Sequence, residues 1–270
     1  MPELPEVETV KSTLEKIYLN KIIEDVDVFY DKILANLNAI EFKNKLKNQQ
    51  IKALNRKGKY IIISLSYGKM LIHLRMEGKF KFDKNLLDKH SHVLFYFKDQ
   101  SVLIYHDVRK FGRIYYFDSN VDIYKQAPLN KLGLEPFDAS GKYLYEKIKK
   151  ISRPIKSVLL DQSILAGIGN IYADEICFAC KINPLKPANL IKQKKCQEII
   201  TQACKILTEA ILCGGSSVKS FQSAHGVDGL FQIHLKVYGK ENQPCPNCQN
   251  KIEKVFINQR GTHFCRRCQK

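Results

Sequence analysis

The chain has 270 residues, enough for two hydrophobic cores, and its 44 Lys and Arg against 27 Asp and Glu give a formal net charge of +17. A field of this sign concentrates polyanions, most commonly the phosphate backbone of nucleic acid, although a lysine-rich surface set by genome composition is the alternative. The sequence has no run of about 18 apolar residues and no signal-peptide pattern, which argues against a membrane-spanning or secreted protein. We expect a soluble, cytoplasmic protein.

The first residues contain a candidate nucleophile. Removal of Met1, which a small second residue normally allows, would leave Pro2 with a secondary amine and the Glu3 carboxylate beside it. A chain-terminal amine has a pKa near ~8 against ~10.4 for lysine, so its neutral form is far more abundant at pH 7. Such an amine can attack an electrophilic sugar carbon and form an imine-type intermediate. The alternative is that Pro2 and Pro5 only set up a helix start.

Helix and strand patterns divide the chain. A helix is predicted to begin at Pro5 or Glu6, because apolar residues recur at helical spacing as far as Ile17. Helical periodicity returns from about Tyr143 to Leu212. Between these regions, short apolar runs alternate with hydrophilic connections, which predicts a sandwich of antiparallel strands that includes residues 59–65, 70–74, 92–97 and 102–105. We predict an N-terminal domain of a helix and a β-sandwich (1–120), a polar linker (121–134), a helical domain (135–238) and a C-terminal hairpin (239–270).

A glycine-rich turn within the helical region is a candidate phosphate site. Pro154 is predicted to begin one helix and Ile171 another, with a tight turn between them. Gly167 and Gly169 allow close approach of the backbone, and the N–H groups at the start of the second helix can hold a phosphate. Asn170 would add a side-chain contact. Nearby cations favour the same interpretation, namely Lys150, Arg153 and Lys156. The alternative is an ordinary helical hairpin.

Four cysteines near the C-terminus predict a metal site. Cys245, Cys248, Cys265 and Cys268 follow the spacing C-x2-C-x16-C-x2-C, which lies within the range of zinc sites with four thiolate ligands. The alternating apolar segments between the two pairs predict a β-hairpin with its tip near residues 258–261. A segment this short cannot bury enough surface to fold unaided, so one structural Zn²⁺ would supply the stability. Two disulfides are the alternative, which a cytosolic protein disfavours.

Five motifs, in chain order and spanning essentially the whole chain, resemble those of bacterial formamidopyrimidine-DNA glycosylases. They are Pro-Glu-Leu-Pro-Glu-Val-Glu-Thr at 2–9, Leu-Arg-Met-Glu-Gly at 74–78, Asp-Val-Arg-Lys-Phe-Gly at 107–112, Gly-Ile-Gly-Asn-Ile-Tyr-Ala at 167–173, and the cysteine hairpin. The resemblance implies an α+β fold with an N-terminal helix and antiparallel β-sandwich, a helix–two-turn–helix domain and a zinc finger. The partner would be damaged double-stranded DNA. A single duplex-binding cleft needs no second copy, so we expect a monomer.

The resemblance assigns chemical roles to residues of the N-terminal domain. Enzymes of this family excise oxidised purines, notably 8-oxoguanine and ring-opened formamidopyrimidines, and then nick the abasic site by β- and δ-elimination. By this likeness Pro2 attacks C1′ of the damaged nucleotide, Glu3 acts as the acid beside the sugar, and Glu6 supports the arrangement. Lys59 corresponds to the lysine of the elimination steps, and Lys57 is the nearby alternative.

A second set of positions resembles the family's DNA contacts. A lesion must leave the base stack before an amine can reach C1′, so the enzyme must flip the nucleotide and fill the gap. Met76, Arg109 and Phe111 match the side chains inserted for that purpose, although by composition alone Met76 and Phe111 would more often be core residues. His90 corresponds to a DNA-contacting histidine. Arg260 matches the arginine that grips phosphate and is associated with the second elimination.

Residues 220–231 depart from the family pattern. Where relatives usually read Asp-Gly-Glu-Pro-Gly-Tyr-Phe over the flipped base, this chain has His-Gly-Val-Asp-Gly-Leu-Phe at 225–231. The lesion preference is therefore less secure than the reaction type. Two alternatives stay open. An endonuclease VIII-type enzyme shares the mechanism but prefers oxidised pyrimidines, and the Pro-Glu-Leu-Pro start argues against it. A non-catalytic zinc and helix–turn DNA-binding protein would lack the chemistry.

Overall fold

The structure, a computed structural model, describes residues 1–216 and 230–270. Its internal contacts divide the chain into two compact units. The N-terminal unit contains residues 1–130 together with 214–216 and Leu230, and the C-terminal unit contains residues 131–213 and 231–270. None of the described helices is both long and apolar enough to cross a membrane.

The N-terminal unit begins with helix α1 (Leu4–Tyr18). The helix starts one residue before the predicted Pro5, and the Glu6 carboxylate accepts the N–H of Glu3 at 2.8 Å, as the third residue of a capping box does. Its buried face ends on Tyr18 rather than on Ile17, and the Tyr18 hydroxyl donates to the Val102 carbonyl at 2.5 Å. The apolar stripe thus fixes α1 against the strands.

The described residues of this unit form two four-stranded antiparallel sheets, with strand orders β1-β6-β7-β5 and β2-β3-β4-β8. The strands are β1 (Ile23–Val28), β2 (Ile51–Lys57), β3 (Tyr60–Leu65), β4 (Gly68–His73), β5 (Lys79–Lys81), β6 (Ser91–Phe97), β7 (Val102–His106) and β8 (Arg113–Asp118). Helix α2 (Ala39–Leu46) packs against β1. Alternate strand residues point to one face, so Ile63, Ile72 and Phe95 of the two sheets share a core with Val10 of α1.

The C-terminal unit combines helices with a hairpin. The helices are α3 (Gly141–Ile148), α4 (Ile155–Leu159), α5 (Asn170–Ala179) and α6 (Gln193–Leu212), and the hairpin strands are β9 (Glu253–Ile257) and β10 (Arg260–Phe264). α6 packs against α3 and α5, and β10 packs against α5. The predicted linker 121–134 contains two single-turn 3-10 helices, Ile123–Lys125 and Leu129–Lys131. Helices and antiparallel sheets together confirm the predicted α+β class.

Candidate active site and nucleic-acid interface

The start of α1 is buried. Pro2 is buried, and Glu3 and Glu6 are each only 3% exposed. The second carboxylate oxygen of Glu6 accepts the N–H of Ser216 at 2.8 Å and its hydroxyl at 3.1 Å. Gly215 has φ +80°, and a β-carbon there would lie 3.0 Å from the same oxygen. Glu6 therefore ties the N-terminus to the residues that precede 217–229.

The sequence assigned no role to Ser216, which follows the predicted helical region. Its bonds to Glu6, and its bridge to Leu230, are long-range contacts that no local pattern signals. The departure from the family pattern at residues 220–231 lies outside the described residues except for Leu230, which is exposed, and Phe231, which is buried.

Lys59 lies on the two-residue turn between β2 and β3. Gly58 takes φ 57° there, which suits a tight hairpin turn. Arg56 braces the hairpin, because its Nε donates to Glu8 of α1 at 2.8 Å and its Nη1 donates to the Gly58 carbonyl at 2.9 Å. Lys59 is only 4% exposed, whereas Lys57 on the preceding strand is half-buried. Lys59 is thus a buried lysine on a braced turn, and Lys57 is its half-buried neighbour on the strand.

Met76 lies on the turn at residues 74–78, which follows β4 (the 74–78 turn). It is half-buried, and Arg75 before it takes φ 55°. His73 supports this turn, since its Nδ1 accepts the Arg75 N–H at 3.0 Å. Burial, together with the charges of Arg75 and Lys59, lowers the pKa of His73 to about 3, so the ring is neutral and Nδ1 can act as an acceptor at pH 7.

Arg109 and Phe111 lie on the loop at residues 107–112 (the 107–112 loop). The fully buried Asp107 carboxylate closes this loop, because it accepts the N–H of Arg109 at 3.0 Å and that of Gly112 at 2.8 Å. Phe111 is 47% exposed, and the Arg109 guanidinium carbon lies 4.8 Å from its ring centroid. The loop therefore presents an aromatic ring and a cation to solvent, not to the core.

His90 lies beside the same loop. Its carbonyl accepts the Asp107 N–H at 3.0 Å, and its own N–H donates to Asp88 at 2.8 Å. His92 adds a bond from Nε2 to the Asp107 carbonyl at 2.7 Å. The His90 side chain is half-buried. These backbone bonds bring His90 to the base of the loop that carries Arg109.

Asn170 and Arg260 lie close together in the C-terminal unit. The turn of the β9–β10 hairpin is Asn258–Gln259, so Arg260 is the exposed first residue of β10. The next carbonyl, that of Gly261, accepts from Asn170 Nδ2 at 3.0 Å. Asn170 is the first residue of α5. The start of α5 thus contacts the start of β10 beside Arg260.

Lys156 corrects a sequence prediction. It is fully buried, and its ammonium donates to the Gly261 carbonyl at 2.8 Å and to Thr262 Oγ1 at 2.9 Å, and pairs with Asp174 at 2.7 Å. Its donors are engaged inside the unit, so it does not present a charge to phosphate. Of the other predicted cations, Lys150 is exposed, and Arg153 is exposed and pairs with Asp161.

The four predicted cysteine ligands form one cluster. Their Sγ atoms all lie within 4.8 Å of one another, with Cys245–Cys268 at 3.9 Å and Cys248–Cys265 at 3.5 Å. Zn–S bonds of about 2.3 Å in a tetrahedron place sulfurs about 3.8 Å apart, so the spacing fits Zn²⁺. Desolvation and the neighbouring thiols raise the pKa of Cys268 to about 12, hence four thiolates need a cation beside them. The site holds one structural Zn²⁺.

A buried proline before α1, two antiparallel sheets, a helix start beside an arginine and a zinc hairpin define a class of protein, the DNA glycosylases with helix–two-turn–helix and zinc-finger elements. Three family profiles match the chain. Residues 1–114 match the formamidopyrimidine-DNA glycosylase N-terminal domain, residues 132–222 the formamidopyrimidine-DNA glycosylase H2TH domain, and residues 242–270 the zinc finger found in FPG and IleRS. The chain belongs to the formamidopyrimidine-DNA glycosylase family.

Relatives match over the whole length. The formamidopyrimidine-DNA glycosylases of Bacillus licheniformis and Listeria monocytogenes are 43% and 41% identical to this chain, with 100% of both sequences covered in each case. Among solved structures, wild-type Lactococcus lactis Fpg (MutM) with DNA containing N7-benzyl-Fapy-dG has a TM-score of 0.92 at 37% identity. The same protein with DNA containing an oxidised pyrimidine has a TM-score of 0.91 at 36% identity. Both matches cover 100% of each chain.

Proposed function

We propose that the chain is a DNA glycosylase and abasic-site lyase that removes oxidised purines, including 8-oxoguanine and formamidopyrimidines, from duplex DNA. The observation that carries the proposal is the start of α1, where Pro2 is buried and two carboxylates, Glu3 and Glu6, are 3% exposed. Burying carboxylates carries a desolvation cost that an ordinary surface helix start would avoid. A catalytic role, in which a reactive amine lies beside a positioned acid, would explain why these carboxylates are buried.

The proposed reaction begins when removal of Met1 turns the Pro2 nitrogen from an amide into a secondary amine. Its lone pair forms a bond to C1′ while the C1′–N9 bond breaks. The proton that the Pro2 nitrogen must then lose balances the proton that the departing base takes up. The ring then opens at O4′, with a proton that Glu3 supplies, and the nitrogen and C1′ form an iminium. Loss of a C2′ proton expels the 3′-phosphate, and loss of the C4′ proton then expels the 5′-phosphate.

Other residues assist these steps. The Lys59 amine lies on the hairpin that Arg56 braces against α1, and we assign it to proton transfer in the eliminations. Arg260 and Asn170 would hold phosphate, together with His90 and the exposed cations Lys150 and Arg153, since guanidinium and backbone N–H groups suit phosphate oxygens. Met76, Arg109 and Phe111 would fill the gap left by the flipped nucleotide. One copy of the chain would act on one duplex, which sedimentation analysis of the complex would test.

Borohydride reduction tests the covalent step. We expect the chain to be trapped on duplex DNA that contains 8-oxoguanine, and we expect mass spectrometry of the adduct to map the crosslink to Pro2. Pro2→Gly should reduce trapping sharply while duplex binding stays close to the original value. Pro5→Ala, which changes the next proline of the same helix start, is the matched control and should still be trapped. Equal trapping of Pro2→Gly, or a crosslink elsewhere, would refute the mechanism. Binding without any trapping would favour the non-catalytic alternative.

Oxidised pyrimidines are a second candidate substrate class. The observation in favour is that a full-length structural relative has been solved with DNA that contains an oxidised pyrimidine. Cleavage rates on matched duplexes carrying 8-oxoguanine or an oxidised pyrimidine separate the two. A higher rate on the purine lesion is expected, and the reverse order would favour the endonuclease VIII-type preference.

A further inference from the structure

The 74–78 turn and the 107–112 loop rest on the same buried side chain. Tyr105, near the end of β7, is fully buried, and its ring packs edge-on against Phe80 of β5 at 5.5 Å. Each of the two segments ends on a glycine directly above the Tyr105 hydroxyl. A β-carbon on Gly78 would lie 2.3 Å from that oxygen, and one on Gly112 would lie 1.7 Å from it.

These distances explain why both segments end on glycine. A β-carbon closer than 3.0 Å to another heavy atom forces something to shift. Here the obstacle is a hydroxyl on a rigid ring in a close-packed core, so it has little room to move. Gly78 and Gly112 therefore allow both backbones to approach the same oxygen atom. A displacement of one segment toward the core is transmitted to the other through Tyr105.

Packing does not explain why residue 105 carries a hydroxyl, as Tyr105 does. Among the described residues, Tyr105 Oη is buried and has no hydrogen-bond partner. An unpaired buried hydroxyl loses its water and gains nothing in return, whereas a phenylalanine would fill the same space without that cost. Packing alone thus accounts for the ring but not for its oxygen.

Each segment offers an acceptor near the oxygen. The Leu74 carbonyl lies 2.5 Å from the β-carbon position above Gly78, the same point that is 2.3 Å from the hydroxyl. Asp107 Oδ2 lies 3.2 Å from the corresponding point above Gly112. Burial and the charge of Asp107 raise the pKa of Tyr105, so the hydroxyl keeps its proton and stays a donor. A small shift of either segment would give this proton a partner.

We propose that Tyr105 is a positioning residue that couples the 74–78 turn to the 107–112 loop, so that Met76 enters the duplex together with Arg109 and Phe111. The inference rests on the proposed function, in which these side chains fill the gap left by the flipped nucleotide. The unpaired hydroxyl belongs to the free protein. In the DNA-bound protein, the shift of the segments completes its hydrogen bond and favours joint insertion.

The first test separates this role from a structural one. Tyr105→Phe removes only the oxygen, so we expect an unchanged or higher melting temperature. Base unstacking, followed in stopped flow by 2-aminopurine beside an 8-oxoguanine lesion, should slow roughly five- to tenfold. Tyr116→Phe is the matched control. The Tyr116 hydroxyl also lies under a glycine, 2.3 Å from a β-carbon on Gly68, but it accepts from Gln49 at 3.0 Å. This control should lower the melting temperature and leave unstacking unchanged.

The second test measures the coupling directly. Met76→Ala, Phe111→Ala and the double variant form a thermodynamic cycle on the unstacking rate. The two effects should be non-additive when Tyr105 is present and additive in the Tyr105→Phe background. Unstacking at the original rate in Tyr105→Phe, with the cycle unaltered, would overturn the coupling while the single alanine variants remain slow. Original rates in both alanine variants would instead overturn the proposed role of the two segments, and the coupling with it.

Discussion

The two units hold their functional side chains in place by different means. In the N-terminal unit, a carboxylate accepts backbone N–H groups at the start of α1 and in the 107–112 loop. Glu6 takes the N–H groups of Glu3 and Ser216, and Asp107 takes those of Arg109 and Gly112. This arrangement fixes the backbone and leaves the Arg109 guanidinium exposed for a partner.

The C-terminal unit also has such a carboxylate, since Glu175 accepts the N–H groups of Lys236, Val237 and Tyr238, but the unit adds buried opposite charges and a metal. Lys156 and Asp174 are both fully buried, and together they hold the start of β10. Lys156 binds the Gly261 carbonyl, and Asp174 accepts the His263 N–H at 2.8 Å. The cysteine cluster closes the other end of the same hairpin. The backbone N–H groups that a carboxylate accepts remain when the side chains of the donor residues are substituted. A buried ion pair, by contrast, is broken when either of its two side chains is replaced. The two units should therefore differ in their response to single substitutions.

Loss of the metal should have the largest effect. Cys248→Ser removes one of four ligands, and zinc binding contributes on the order of 10 kcal/mol or more to the folding of such hairpins. We expect loss of bound zinc, measured by atomic absorption, and loss of duplex binding, measured by fluorescence anisotropy. The N-terminal core, which has its own packing, should remain folded. Cys213→Ser, outside the cluster, is the control and should retain both properties. Full binding after chelation would contradict the role of the hairpin.

Breaking the buried pair of Lys156 and Asp174 should have the next largest effect. Lys156→Met leaves the Asp174 carboxylate buried without its cation, which should destabilise the protein by about 3–5 kcal/mol. Denaturant unfolding measures this loss. Arg153→Met breaks the exposed pair with Asp161 and should cost less than about 1 kcal/mol. Similar losses of unfolding free energy in the two variants would mean that burial does not determine how much an ion pair stabilises the protein. The proposed difference between the units would then be wrong.

The pH dependence of stability tests the role of His73 in the N-terminal unit. Its pKa in the folded chain is about 3 against about 6.5 when unfolded, so the unfolded chain binds the extra proton between these values. Its stabilising contribution is complete above pH 6.5 and is lost as the pH falls, by about 2 kcal/mol between pH 7 and pH 5. We expect His73→Asn to flatten this part of the stability–pH curve. An unaltered slope in His73→Asn would count against a neutral buried ring.

Local patterns in the sequence were enough for some of these features. The spacing of Cys245 and Cys248, repeated at Cys265 and Cys268, predicted the metal cluster because a thiolate knuckle is a local structure. Helix α1 followed from its apolar period. Strand β1 escaped notice because Glu24, Asp25 and Asp27 interrupt its apolar residues. These side chains are partly or fully exposed, while Ile23 and Val26 are buried.

Features that depend on long-range contacts were beyond such reasoning. Lys156 was grouped with Arg153 as a surface cation, because nothing near it in the sequence shows that Asp174 will meet it in the core. Ser216 could not be connected to Glu6, from which the whole N-terminal sandwich separates it in the chain. Tyr105 was predicted only as part of a strand. That its hydroxyl lies under two glycines is a property of the assembled sheets.

The smallest expected effect concerns the link between Glu6 and Ser216. Ser216→Ala removes the hydroxyl bond of 3.1 Å but keeps the N–H bond of 2.8 Å to the same oxygen, so the loss should be about 1 kcal/mol. Ser12→Ala is a matched control. The Ser12 hydroxyl donates to Glu8 of α1 at 3.4 Å from a half-buried position, and alanine favours the helix, so its stability should stay level or rise slightly. A loss of about 3 kcal/mol or more in Ser216→Ala would show that this link depends on each donor, as the buried pair does on each member. A carboxylate that accepts several N–H groups would then lose as much stability on a single substitution as a buried ion pair does.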